Sequence, residues 1–118
     1  EMVQNMNKDP IILALTNPDP EITPKLAKQS GARIVATGSY NYNNQVNNAL
    51  VFPYFMRAVL DLRIRDITLD VLYSASLAIA ETLSRKELSS ERIIPDISDK
   101  RIQNRVTKSL KNLKTAKH

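Results

Sequence analysis

The chain has 118 residues, 42% hydrophobic and 25% charged, with a net charge of +5, which is the balance of one ordinary globular domain. It contains no Cys, so disulfides, thiolate zinc sites and a cysteine nucleophile are excluded, and a reducing cytoplasm fits. Its single His is the last residue, His118, and its only glycines are Gly31 and Gly38, so histidine chemistry is close to excluded and no glycine-rich phosphate loop can be built. The first residues, Glu1-Met2-Val3-Gln4-Asn5-Met6, do not read as a secretory signal, and no apolar run approaches the length of a membrane span.

In chain order, Glu1 to Asn7 reads as the tail of a helix that Asp9-Pro10 breaks. Ile11-Ile12-Leu13-Ala14-Leu15-Thr16 is a continuous apolar run of strand length, the pattern of a strand buried on both faces of a parallel sheet. Asn17-Pro18-Asp19-Pro20 is loop. Thr23 can cap a short helix with Pro24 at its first position, running to about Ser30 and stopped by Gly31. Arg33 to Thr37 is a second buried strand, and strand, crossover helix and strand make a parallel βαβ unit.

Gly38 to Asn48 is a polar loop rich in Asn and Tyr. A helical stretch follows from Ala49 to about Arg63, with Pro53 splitting it into a short turn and a main helix. Thr68 caps the next helix, roughly Leu69 to Ser84. Ile93-Ile94-Pro95 is extended and packs on the core. Ser98 can cap a last helix whose Ile102, Val106, Leu110 and Leu113 form one stripe among basic residues. Two apolar parallel strands cannot make a stable sheet by themselves, because both faces and both edges need neighbours. The simplest account is one end of a larger doubly wound sheet.

Two blocks carry a family resemblance. Ile12-Leu13-Ala14-Leu15-Thr16-Asn17-Pro18-Asp19-Pro20-Glu21-Ile22 resembles the malic enzyme segment of apolar strand, Asn-Pro and Pro-Glu. Ala36-Thr37-Gly38, then Asn44-Gln45-Val46-Asn47-Asn48-Ala49-Leu50-Val51-Phe52-Pro53, resembles the family's Asn-Gln-x-Asn-Asn…Phe-Pro block, and Arg57-Ala58-Val59-Leu60-Asp61 continues it. Ile93-Ile94-Pro95-Asp96 resembles the closing segment of the bacterial and archaeal type. The similarity spans nearly the whole chain and weakens after Lys100. One stretch departs: Ser39-Tyr40-Asn41-Tyr42-Asn43 stands where the family often has Arg-Ser-Asp-Tyr-Pro, so a charged pair and a stiffening proline are absent.

The resemblance implies an α/β fold, the C-terminal part of a Rossmann-like doubly wound parallel sheet followed by helices. Residues 1–97 would be part of an NAD(P)-binding domain and 98–118 a basic C-terminal helix. It implies oxidative decarboxylation of malate to pyruvate and CO2 with NAD or NADP, assisted by Mg²⁺ or Mn²⁺. The family's two asparagines that contact substrate and nicotinamide fall on Asn17 and Asn48, with Asn47 the alternative if the register differs by one. The family's general-base lysine, acid tyrosine, metal ligands and glycine loop have no match here, so Lys25, Tyr40 and Asp61 are not promoted to those roles, and the chain alone is expected to be inactive. Its implied partners are malate or pyruvate and either the remaining N-terminal portion of the enzyme or further copies in a homo-oligomer. Neither nucleic acid nor membrane is implied.

Physical logic agrees with the carry-over. Ligands of open α/β sheets sit outside the carboxyl ends of the strands, where both asparagine blocks lie. An amide donates to a carboxylate and accepts from a hydroxyl without titrating, so it positions rather than transfers protons. Plainer readings stand beside these. Asn-Pro is a common turn dipeptide, and Asn47 or Asn48 can cap a helix. Asp19, Glu21 and Asp96 read as solvated turn residues rather than metal ligands, and Tyr40 and Tyr42 as rings with one face buried on the scaffold. The lysines of the last helix read as solvated while its apolar stripe docks. The alternative to an enzyme segment is a non-enzymatic remnant that binds a partner through its sheet edge or its basic helix.

Overall fold

The computed structural model describes residues 1–116; Lys117 and His118, the end of the expected basic helix and the sole histidine, lie outside the described residues. The backbone groups into two compact units. The first comprises Glu1–Asn47 and Arg85–Ile93; the second comprises Asn48–Ser84 and the residues from Ile94 onward.

In the first unit, strands β1 (Ile11–Ala14) and β2 (Ile34–Thr37) pair in parallel, with Ile11 opposite Ile34 and Ala14 opposite Thr37. Helix α1 (Pro24–Gln29) connects them, which is the α/β unit expected. Thr23 caps α1 by accepting the Leu26 N–H at 3.3 Å, with Pro24 in the first turn where its missing N–H costs nothing. Gly31 ends α1 at φ +104°. Its N–H reaches the Lys28 carbonyl, and the Ala32 N–H reaches back to Ala27 at 3.0 Å. This paired closure needs a left-handed residue, hence glycine. Ala27, Ala32 and Val35 form a small core joined by Val3, Ile12 and Ile22.

Three expectations for this unit are corrected. Glu1 to Asn7 is not the tail of an α-helix: one 3-10 turn, Val3–Asn5, is all that forms before Asp9 turns the chain at φ +57°. The first strand stops at Ala14 rather than Thr16, because the Thr16 N–H is taken by the Glu21 carboxylate at 3.2 Å instead of a ladder partner. Burial on both faces holds for β2 but not β1, where Ile11 and Leu13 are exposed. A strand's own residues make burial favourable, but burial itself requires neighbours, and the described residues supply one paired strand.

The second unit is helical. A 3-10 turn, Asn48–Leu50, leads into α2 (Phe52–Asp61), with Pro53 in the first turn as expected. Helices α3 (Leu69–Ala80) and α4 (Arg101–Ala116) complete a core built on Leu50, Phe55, Val59, Ile79, Ile102, Val106 and Leu110. Ile102, Val106 and Leu110 are fully buried, with Leu113 against them, while Lys100, Arg101, Arg105, Lys108, Lys111 and Lys114 are exposed. The apolar stripe of α4 therefore docks and its cations face water, the plainer of the two readings. Ile94 and the buried Pro95 pack as the extended segment was expected to. No helix among the described residues is long and apolar enough to cross a membrane.

The helix ends show how local chemistry overrides pattern. Thr68 caps α3 as expected, but α3 ends at Ala80 and not Ser84. The chain there tightens, with the Thr82 N–H bonding three residues back to Ile79 and its hydroxyl bonding the Ala78 carbonyl. Asp99, not Ser98, caps α4: its carboxylate accepts the Arg101 N–H at 3.0 Å, while Ser98 donates to Asp96. A carboxylate accepts more strongly than a hydroxyl and also meets the positive end of the helix dipole. At the end of α2, Arg63 sits at φ +52° in the place glycine usually takes. Its N–H reaches Leu60, and the Ile64 N–H reaches Val59 at 3.0 Å. Lys114 of α4 covers the Leu62 carbonyl at 2.7 Å.

A non-glycine residue in the left-handed region costs roughly 1–2 kcal/mol, and the freer unfolded chain of a glycine variant offsets roughly 0.4–1 of that. Arg63→Gly is therefore expected to stabilise the second unit by roughly 0.5–1 kcal/mol, read as a rise in the urea midpoint at unchanged slope.

Candidate functional site

The carboxyl ends of β1 and β2 carry the polar groups that the sequence singled out. Past β1 the chain runs through Leu15 and Thr16 to Asn17, whose peptide bond to Pro18 is cis. Past β2 it passes Gly38. A Cβ on Gly38 would lie 2.7 Å from the Leu15 carbonyl oxygen and 3.3 Å from Asn17 Nδ2, so only glycine lets the two connections approach this closely. The Gly38 carbonyl accepts Asn17 Nδ2 at 3.2 Å and Asn47 Nδ2 at 3.0 Å. A carbonyl can only accept, so both amides must present their NH2 groups to it, and that settles which way each side chain is turned.

The loop from Gly38 to Asn47 is held to β2 by its own main chain. Thr37 donates its N–H to the Asn44 carbonyl at 3.2 Å and accepts the Val46 N–H at 2.7 Å. Thr37 is fully buried, and its hydroxyl donates to the Ser39 carbonyl. Ser39, also buried, accepts the Asn41 N–H on its hydroxyl. Asn44 is the residue that sequence reasoning missed. It is 6% exposed and sits at φ +55°. Its Nδ2 donates to the carbonyls of Val35 (3.1 Å) and Ser90 (2.8 Å), and its Oδ1 accepts the Ile93 N–H at 2.8 Å. Asn is the side chain best able to take a left-handed backbone and use both amide ends. In the sequence it stood out only as the first residue of the Asn-Gln-x-Asn-Asn block, with no role attached.

Of the asparagines expected to matter, the structure brings Asn17 and Asn47 onto one carbonyl. Asn48 is exposed, opens the 3-10 turn of the second unit, and lends its carbonyl to the Val51 N–H at 3.0 Å. Tyr40 is a correction: it was expected to bury one face, yet it is 82% exposed. Its neighbours Ser39 and Asn41 are polar, and it is Ser39 that is buried. Tyr42 sits with Pro24, Lys28, Val35, Asn43 and Glu91 around a shallow cleft. The acidic turn residues have ordinary partners, Glu21 with Thr16 and Asp96 with Ser98. No three His, Cys, Asp or Glu converge as metal ligands among the described residues.

Beside the loop, the Glu91 carboxylate accepts from Lys28 and from Asn43 Nδ2. The hydrogen bond from Lys28, then that from Asn43, holds the Glu91 carboxyl below the usual carboxylate range. A carboxyl whose folded value is depressed stabilises the fold above its unfolded value, near 4.3, and that contribution is lost as pH falls.

Two measurements follow from this geometry. Gly38→Ala is expected to lower stability by about 1–3 kcal/mol, because backbone and not a flexible side chain must move, and a thermal melt reads it. Between about pH 5 and pH 3 the native chain is expected to lose more stability than Glu91→Gln, by a small margin that shrinks further in high salt, since the pair is about half exposed. Parallel pH–stability curves for the two proteins would refute the second.

Comparison with known proteins gives the chain's family and fold. The family model described as "Malic enzyme, NAD binding domain" matches residues 1–111. The bifunctional malic/malolactic enzyme of Bacillus subtilis is 46% identical over 110 residues, which cover 93% of this chain and 27% of the relative. The NAD-dependent malic enzyme of Geobacillus stearothermophilus is 40% identical over 110 residues, covering 93% and 23%. The crystal structure of malic enzyme from Pyrococcus horikoshii superposes with a TM-score of 0.89 at 41% identity, covering 98% of this chain and 26% of that one. The chain thus spans about a quarter of the length of these two relatives.

Proposed function

Because the chain belongs to the malic enzyme family, in its NAD-binding domain, we propose that it is the C-terminal part of the NAD(P)-binding domain of an NAD- or NADP-dependent malic enzyme. That enzyme converts malate to pyruvate and CO2 in the cytoplasm. The observation that carries this reading is the convergence of the Asn17 and Asn47 amides on the Gly38 carbonyl, just past the carboxyl ends of two parallel strands. Ligands of such sheets bind at that rim.

The residues fit one end of the reactants and not the other. Asn17 and Asn47 orient malate and the nicotinamide: an amide donates to a carboxylate and accepts from a hydroxyl while keeping zero charge throughout. Such groups act by holding the reacting atoms in register. When bound, NAD or NADP supplies the hydride acceptor. Residues 1–118 offer no cradle for its pyrophosphate, having two glycines and no glycine-rich loop. The described residues likewise offer no ligand cluster for Mg²⁺ or Mn²⁺. Tyr40 is exposed to water and Asp61 pairs with Arg57, and neither is given a proton-transfer role. The metal site, the pyrophosphate loop and the proton-transfer lysine and tyrosine are assigned to other parts of the complete enzyme, and these residues alone are inactive.

A second reading, a non-enzymatic module that pairs through its sheet, is favoured by exposed Ile11 and Leu13 on β1. One experiment separates the two. These residues are substituted for the matching segment of the Bacillus subtilis relative, and malate-dependent reduction of NAD or NADP is followed with Mn²⁺. The chimaera is expected to turn over and the isolated chain is not. Asn17→Ala and Asn47→Ala in the chimaera are each expected to lower kcat/KM by about a hundredfold, the scale of a lost positioning contact. A folded chimaera that is inactive, or one indifferent to both substitutions, would sink the reading.

A further inference from the structure

Asn44 ties its loop both to β2, nine residues earlier, and to the distant segment that holds Ser90 and Ile93. Its side chain donates to Val35 in β2 and to Ser90, and accepts from Ile93, while its own carbonyl accepts from Thr37. Three residues later the same loop delivers Asn47 to the Gly38 carbonyl. Without Asn44, the carbonyls of Val35 and Ser90 and the N–H of Ile93 each lose a buried or half-buried partner, and the 85–93 segment loses its strongest tie to the loop. A second, exposed tie runs parallel to it, from Asn43 and Lys28 to Glu91.

We propose that Asn44 is a positioning residue for substrate: it clamps the 85–93 segment to β2 and thereby sets where the loop presents Asn47. The inference rests on the reading of Asn47 as a ligand contact. The clamp is specific in chemistry. Two carbonyls need a donor on one end of the side chain and an N–H needs an acceptor on the other, at a left-handed backbone position; aspartate meets the second demand and fails the first. The loop contains no proline between Gly38 and Asn47, so its stiffness must come from hydrogen bonds of this kind rather than from a fixed φ.

The test uses Asn44→Gly, which keeps the left-handed backbone and removes only the amide. In the 118-residue chain, hydrogen–deuterium exchange is expected to quicken about tenfold or more in residues 38–47 and 85–93 together, while α4 keeps its rates. A rise in one segment alone, or in neither, overturns the clamp. Should that variant not fold, exchange is followed in the unchanged 118-residue chain in low urea: residues 38–47 and 85–93 are expected to open together with one shared urea dependence, and separate openings of the two segments overturn the clamp. In the chimaera described above, Asn44→Gly is expected to raise KM for malate about tenfold, whereas a mere loss of folded enzyme lowers apparent kcat and leaves KM alone. If Asn17→Ala and Asn47→Ala leave KM unchanged, the ligand reading of the site fails and the exchange result still judges the clamp. If they raise KM and Asn44→Gly does not, the positioning role fails.

Discussion

The first unit depends on one close approach, that of Gly38 to Leu15. With no Cβ at Gly38, the connections leaving the two strands come within contact distance, and a single carbonyl becomes reachable by amides from both. Any larger residue drives backbone against backbone. Everything polar at this rim is arranged around that point: Asn17 arrives from the end of β1, Asn47 from the returning loop, and Thr37 beneath them is sealed from water.

The side chains that meet at the Gly38 carbonyl do not ionise. Both are amides, and the carboxylates nearby are engaged by other groups, Glu91 by Lys28 and Asn43 and Glu21 by the Thr16 N–H. Groups of this kind can orient a polar ligand without changing their own charge, but they cannot take or return a proton.

The second unit is organised differently. Its core is a stripe of Ile102, Val106 and Leu110 set against α2 and α3. Polar ties then trim the helix ends: Asp99 starts α4, Lys114 covers the Leu62 carbonyl, and Ser109 bonds Ser74 at 3.0 Å. The basic character of α4 follows from which face docks. Its apolar positions recur every three to four residues, so lysine and arginine are left for the solvent side.

The sequence alone determined whatever rests on a local rule. Thr23 and Thr68 as caps, Gly31 as a stop, Pro53 as a break, two parallel apolar strands and the stripe of α4 are each readable from neighbouring residues, because the forces involved act over one or two turns. Family likeness carried by the two asparagine blocks was readable for the same reason. Tertiary structure decided what depends on distant chain. Asn44 could not be recognised as a clamp because its partners Ser90 and Ile93 lie more than forty positions away. Exposure of Ile11, Leu13 and Tyr40 was misjudged because a side chain's type sets its preference for burial, whereas only the presence of a neighbour buries it.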